Sequence, residues 1–173
     1  MGLKNLFLIG PMGAGKTTVG RQLAEYFRMD FVDSDHEIQR RTGVDIPTIF
    51  EFEGESGFRQ RESTVIDDLT ARDGIVLATG GGVVMREENR SLLSSRGMVI
   101  YLHCSVRQQF ERTHRDKNRP LLSTPDPLGK LEELMALRDP LYRQTADIVV
   151  STEGRNTQSV VQDIRKLLDK IQN

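Results

Sequence analysis

Three groups of residues in this chain have the types and the spacing to do chemistry. The first is Gly10-Pro11-Met12-Gly13-Ala14-Gly15-Lys16-Thr17, which fills the pattern Gly-x-x-x-x-Gly-Lys-[Ser/Thr] completely. It follows the apolar run Leu6-Phe7-Leu8-Ile9 and precedes an amphipathic segment that begins at Thr18, so it reads as strand, glycine loop, helix. Glycines let successive N–H groups turn toward one anion, with the positive end of the following helix behind them. That anion is a nucleotide phosphate, contacted by Gly13, Ala14, Gly15, Lys16, Thr17 and Thr18. Lys16 would reach the β and γ phosphates as a point charge, and the Thr17 hydroxyl is placed to ligate a bridging Mg²⁺.

The second group is Asp33-Ser34-Asp35, at the end of a short strand. If the strand continued, Asp33 and Asp35 at i and i+2 would share one side, one serving the metal's water shell and the other a substrate hydroxyl. Capping of the next helix is the competing reading. The third is Thr79-Gly80-Gly81-Gly82, a glycine loop closing a buried apolar run. In a parallel sheet, ligands gather at the carboxyl ends of the strands, so the three loops are expected around one cleft. The third strand ends in Thr79-Gly80 where a standard Walker B carries a carboxylate, and the guanine-reading string Asn-Lys-x-Asp is absent. The pattern therefore points to phosphorylation of a small molecule by ATP. Asp35 is the nearest candidate base, and Arg119 before Pro120 is the candidate cation for the γ-phosphoryl.

The elements that must position these groups follow from the pattern of apolar residues. Strands are predicted at 5–9, 30–33, 75–79, 98–102 and 148–151. Helices are predicted at 15–27, 34–42, from about 45 to a break at Gly54–Gly57, 56–71, 86–95, 105–112, 128–138, a short one around Tyr142, and 157–171. Strands alternating with helices, without hairpin signals, predict a parallel sheet covered on both faces. The segment 113–127 is polar, carries three prolines with His114, Arg115, Lys117 and Arg119, and is expected to move or bind.

A length of 173 residues suits one domain. A net charge of −1 argues against nucleic acid or an anionic membrane as the main partner. Arginine supplies 18 of the 24 basic residues, and its planar fork suits carboxylates and phosphates. The single cysteine, Cys104, rules out an internal disulfide, and no leader or membrane-spanning run is apparent, so a cytoplasmic protein is expected.

Taken together, the glycine loop, Asp33-Ser34-Asp35, Gly57-Phe58-Arg59, Thr79-Gly80-Gly81-Gly82, Arg119-Pro120-Leu121-Leu122 and Arg138-Asp139-Pro140-Leu141-Tyr142 stand in the order and spacing of the shikimate kinases. The chain resembles that family along essentially its whole length, and its phosphate loop is most similar to the enterobacterial type I form. The resemblance implies a P-loop kinase fold: α/β/α layers around a five-stranded parallel sheet of order 2-3-1-4-5, one domain over 1–173, a substrate-binding region at 34–61 and a mobile lid at about 112–127.

It also implies residue roles. Arg59 and Arg138 hold the shikimate carboxylate. Asp35 binds ring hydroxyls and is the proposed base, and Gly80, Gly81 and Gly82 contact the substrate, Gly81 through its backbone. Arg119 closes on the phosphates, Thr17 and Asp33 serve Mg²⁺, Arg112 stacks on adenine, and Arg155 is a nucleotide contact in a loop the family varies. ATP and shikimate are the implied partners of a monomer. Local sequence alone gives blander roles, an ion pair of Arg59 with Glu55 or Glu62 on a helix surface and dipole compensation by Arg138 at a helix end. The alternatives for the whole chain are another small-metabolite kinase resembling gluconate kinase, or a nucleotide-binding regulatory module.

Overall fold

The computed structural model describes residues 3–116 and 119–173, so Lys117 lies outside the described residues. Strands β1 (Leu6–Ile9), β2 (Asp30–Asp33), β3 (Ile75–Ala78), β4 (Met98–His103) and β5 (Ile148–Ser151) form one parallel sheet in the order β2-β3-β1-β4-β5. β1 lies at the centre, with Leu6 level with Val76 on one side and Met98 on the other. All four residues of both β1 and β3 are buried, as a strand covered on both faces requires.

Alternation along these strands divides the core in two. Leu6 and Leu8 share one face with Val76, Ile100 and Leu102, and are covered by α1 (Lys16–Phe27) through Val19 and Leu23 and by α7 (Thr157–Gln172) through Ile164 and Leu168. Phe7 and Ile9 share the other face with Leu77 and Tyr101. There the cover comes from α2 (Ser34–Thr42), α3 (Ile46–Thr70), α4 (Glu87–Arg96) and α6 (Pro127–Thr145), through Ile38, Leu69, Leu93 and Tyr142. α5 (Val106–Thr113) packs beside α6. The three-layer architecture and strand order match the expectation. Among the described residues, no helix is long and apolar enough to cross a membrane.

Local departures from the sequence reading have physical causes. Of the two acids that could cap α2, Asp33 does so, its carboxylate accepting from the His36 N–H at 3.1 Å. Because α2 begins at Ser34, Asp33 ends a strand while Asp35 sits in the first helical turn, and the i, i+2 strand argument does not apply to them. The break in α3 is a single residue, Gly54, at φ 71° and ψ −179°, a conformation open to glycine and little else. Helix α6 runs unbroken through Pro140, where two helices were expected. Pro140 removes one N–H from the ladder, but Pro140 and Ala136 are both exposed, so water can satisfy the carbonyl left free. A 3₁₀ turn at Val83–Met85 that the pattern did not signal follows the glycine loop.

Candidate active site

The phosphate loop is built as its motif predicts. Gly15 occupies the N-cap of α1 at φ 92°, and no side chain caps that helix, so its first-turn N–H groups are open to an anion. The Lys16 ammonium folds back over the loop and donates to the carbonyls of Gly10 and, at 2.9 Å, Pro11. Burial pulls its pKa down to about 7, with Arg119 adding to the effect and the carboxylate of Asp35 opposing it. Arg112 of α5 braces the loop from outside, donating to the Gly13 carbonyl at 2.8 Å.

Beside Lys16 the Thr17 hydroxyl donates to Asp33 Oδ2 at 2.9 Å. This hydroxyl and carboxylate sit on the wall of a cavity of about 840 Å³ that also exposes Gly13, Lys16, Asp35 and Arg119. A hard, oxygen-seeking cation that keeps most of its waters and shares substrate phosphates fits such a sparse oxygen pair.

Asp35 stands where this cavity meets a narrower one, since Asp35, Gly80, Gly81 and Arg119 line both. Its Oδ1 is buried with no hydrogen-bond partner. Burial first, then the neighbouring carboxylates of Glu62 and Asp33, push its pKa up to about 7. A carboxyl poised near neutrality and offering a free oxygen suits hydrogen bonding to a hydroxyl and acceptance of its proton.

The narrower cavity holds the two arginines. Arg59, on α3, is 8% exposed and donates to Glu62 Oε1 at 2.9 Å, with Glu55 at 3.6 Å. The expected partners are therefore right, but the pair lies inside the protein and not on a helix surface. Glu62 is fully buried and its second oxygen has no partner. Burial raises the pKa of Glu62 against the lowering effect of Arg59 and Arg138.

Arg138 is 4% exposed and, because α6 continues to Thr145, sits inside a helix and not at its end, so the dipole reading fails. Its Nε is buried without a partner, and burial lowers the guanidinium pKa. Gly82 has an ordinary φ of −94°, so conformation does not require glycine there. Space does: a Cβ on Gly82 would overlap the Arg59 guanidinium.

Arg119 lines both cavities, ion-pairs with Asp116 at 3.2 Å, and lies close enough to influence Lys16 and Asp35. Arg155 is placed differently. Its guanidinium reaches Asp163 at 2.6 Å and Ser159 on α7, and it lines neither cavity. The resemblance made it a nucleotide contact; the structure ties its charge to α7.

The family model described as shikimate kinase matches residues 12–169. The chain belongs to the shikimate kinase family. It is 60% identical to a shikimate kinase of Methylococcus capsulatus over 167 residues, covering 96% of this chain and 93% of that relative. With the shikimate kinase of Thioalkalivibrio sulfidiphilus it shares 59% identity over 162 residues, 94% of this chain and 85% of the relative. Among solved structures, the shikimate kinase of Acinetobacter baumannii in complex with shikimate superposes with a TM-score of 0.95 at 52% identity, covering 97% of this chain and 94% of that one.

For a shikimate kinase, the sequence reading missed one charged group, the buried role of Glu62. Its signal was the i, i+3 spacing from Arg59 on a helix that also carries Phe58 and Ile66 inward, which puts both charges on a face that cannot reach water. The apolar wall of Ile46, Phe50 and Leu121 around the narrower cavity was likewise not anticipated as part of the site.

The packing of Gly82 against Arg59 generates a prediction. Gly82→Ala should displace the guanidinium and weaken acceptor binding by about tenfold, the loss of one charge-assisted contact, with little change in ATP affinity. Titrations of both substrates check it.

Proposed function

We propose that this chain transfers the γ-phosphoryl group of ATP to the 3-hydroxyl of shikimate, giving shikimate 3-phosphate and ADP in aromatic amino acid biosynthesis. The observation that carries this reading is the charge imbalance of the narrower cavity, where Arg59, Arg119 and Arg138 face two acids, Glu62 and Asp35, and Arg138 is buried without an ion pair among the described residues. A buried charge without a partner costs several kcal/mol, and a ligand carboxylate offsets that cost. Shikimate has one carboxylate and three ring hydroxyls, and the A. baumannii relative is described in complex with it.

In this reading Arg59 and Arg138 grip the carboxylate, and Gly80, Gly81 and Gly82 give the ring a flat floor. Asp35 accepts a hydrogen bond from the 3-hydroxyl and takes its proton as the oxygen–phosphorus bond forms and the bond to the β–γ bridging oxygen breaks. Lys16, the N–H groups of the phosphate loop and Arg119 hold the charge that builds on the transferred group and the leaving ADP. Mg²⁺ would be held by Thr17 directly and by Asp33 through water. When bound, it neutralises phosphate charge and fixes the terminal phosphates. Arg112 is read as the adenine-side contact, residues 34–61 as the substrate-binding region and about 112–127 as the lid.

The reading includes a monomer acting in the cytoplasm. The single cysteine, Cys104, is buried and unpaired, in keeping with a reducing compartment.

The direct test is release of ADP from Mg-ATP with shikimate, gluconate or a nucleoside monophosphate as acceptor. Release is expected with shikimate alone, and equal release without any acceptor contradicts the reading. Among variants, Arg59→Ala and Arg138→Ala should each lower kcat/KM for shikimate ten- to a hundredfold, about 1.5–3 kcal/mol. Their stabilities should differ: Arg59→Ala leaves Glu62 buried without its partner and costs about 3 kcal/mol or more, whereas Arg138→Ala removes a charge that has no ion pair among the described residues and costs less. Denaturant titration ranks the two. Arg119→Ala should lower kcat about a hundredfold while the shikimate KM moves little, as steady-state kinetics would show.

A further inference from the structure

Tyr142 has no part in the chemistry above, yet its hydroxyl reaches the site. Helix α6 places Tyr142 four residues after Arg138, one turn on, and both side chains are buried. The ring packs on Tyr101, with centroids 4.8 Å apart at 36°, and the hydroxyl donates to the carbonyl of Gly81 while its oxygen lies within reach of the Arg138 guanidinium, so it ties the loop and that arginine together.

The other carbonyls of the glycine loop are held locally. That of Gly80 accepts from the Val83 N–H at 3.2 Å, and that of Gly82 accepts from the Met85 N–H at 3.1 Å. The Gly81 carbonyl alone of the three is held from another element. A peptide unit is planar, so its carbonyl and the following N–H turn together and point in opposite directions. Fixing the Gly81 carbonyl therefore fixes the direction of the Gly82 N–H. That N–H has no acceptor among the described residues, and Gly82 lines the acceptor cavity with Arg59 and Arg138.

We propose that Tyr142 is a positioning residue for acceptor binding: its hydroxyl locks the Gly81–Gly82 peptide so that the Gly82 N–H faces the bound acid between Arg59 and Arg138. The inference rests on the shikimate reading and deepens it. Burial raises the phenol pKa, so the group remains a donor at neutral pH. The packing of the ring on Tyr101 is independent of the hydroxyl, which lets a substitution separate the two.

Tyr142→Phe keeps the ring and removes the donor. The shikimate KM should rise about tenfold, the ATP KM should stay within about twofold, and kcat should fall less than kcat/KM. Replacement of Tyr142 by 4-aminophenylalanine, which restores a donor on the same ring, should return the shikimate KM to within about threefold of wild type. Tyr101→Phe, which removes a hydroxyl bonded to Asp139 at 2.6 Å and not to the loop, should leave the shikimate KM unchanged.

An unaltered shikimate KM in Tyr142→Phe, or an equal rise in both KM values, overturns the proposal. Should the Phe variant not fold, the 4-aminophenylalanine variant decides: a shikimate KM within about threefold of wild type supports the proposal, and a tenfold or greater loss overturns it. Wild-type protein without shikimate-dependent ADP release would instead overturn the reading on which the proposal stands, so the two failures are distinguishable.

Discussion

Arg59 and Arg138 are both withdrawn from water into one pocket, where Arg59 finds a buried carboxylate in Glu62 and Arg138 has no ion-pair partner among the described residues. Placing a second guanidinium there works against folding, since desolvation of an ion costs several kcal/mol and a neighbouring positive charge adds to it. A pocket built this way is complementary to an anion of the right size. Asp35 lies across Gly80 from Glu62: a Cβ on that glycine would stand 2.8 Å from one carboxylate oxygen and 3.1 Å from the other. Burial first, and then the Glu62 carboxylate, raise the affinity of Asp35 for a proton, which leaves it able to take one from a bound hydroxyl. In the proposed reaction the same buried cluster supplies both the grip on the acid and the acceptor for the hydroxyl proton.

The sheet explains why these groups meet. β1 and β3 are adjacent, so the phosphate loop and the glycine loop leave the same edge side by side, and β2 on the far side of β3 delivers Asp33 and the first turn of α2. α3 and α6 then bring Arg59 and Arg138 over the glycine loop from the face that also carries Phe7 and Tyr101. The narrow spacing is set by the absence of side chains at Gly80, Gly81 and Gly82, whose Cα positions are packed upon by Asp35, Arg138 and Arg59 respectively.

Much of this was legible in the sequence because the signals were local. The Gly-x-x-x-x-Gly-Lys-Thr string, apolar runs of strand length and periodic helix faces gave the sheet, its helices and the nucleotide loop. What escaped was set by distant packing. Glu62 looks like an ordinary helix-surface acid until α3 is seen to lie against the glycine loop, and Arg138 looks like a helix-end residue because Pro140 suggests a stop that exposed Ala136 makes unnecessary. Asp33 caps α2 through one carboxylate oxygen and accepts from Thr17 through the other, so capping does not use up the whole carboxylate. For Arg155, the loop position was readable, but the reach of its guanidinium to Asp163 was not.

The central claim is that the buried pair Arg59 and Arg138 exists to bind a carboxylate. Calorimetric titration of the wild-type protein with shikimate and with its methyl ester tests it most directly, because the ester keeps the ring and hydroxyls and loses only the charge. The ester should bind about a hundredfold more weakly, the loss of two charge-assisted contacts partly compensated by solvent. Equal affinities for acid and ester would contradict the account.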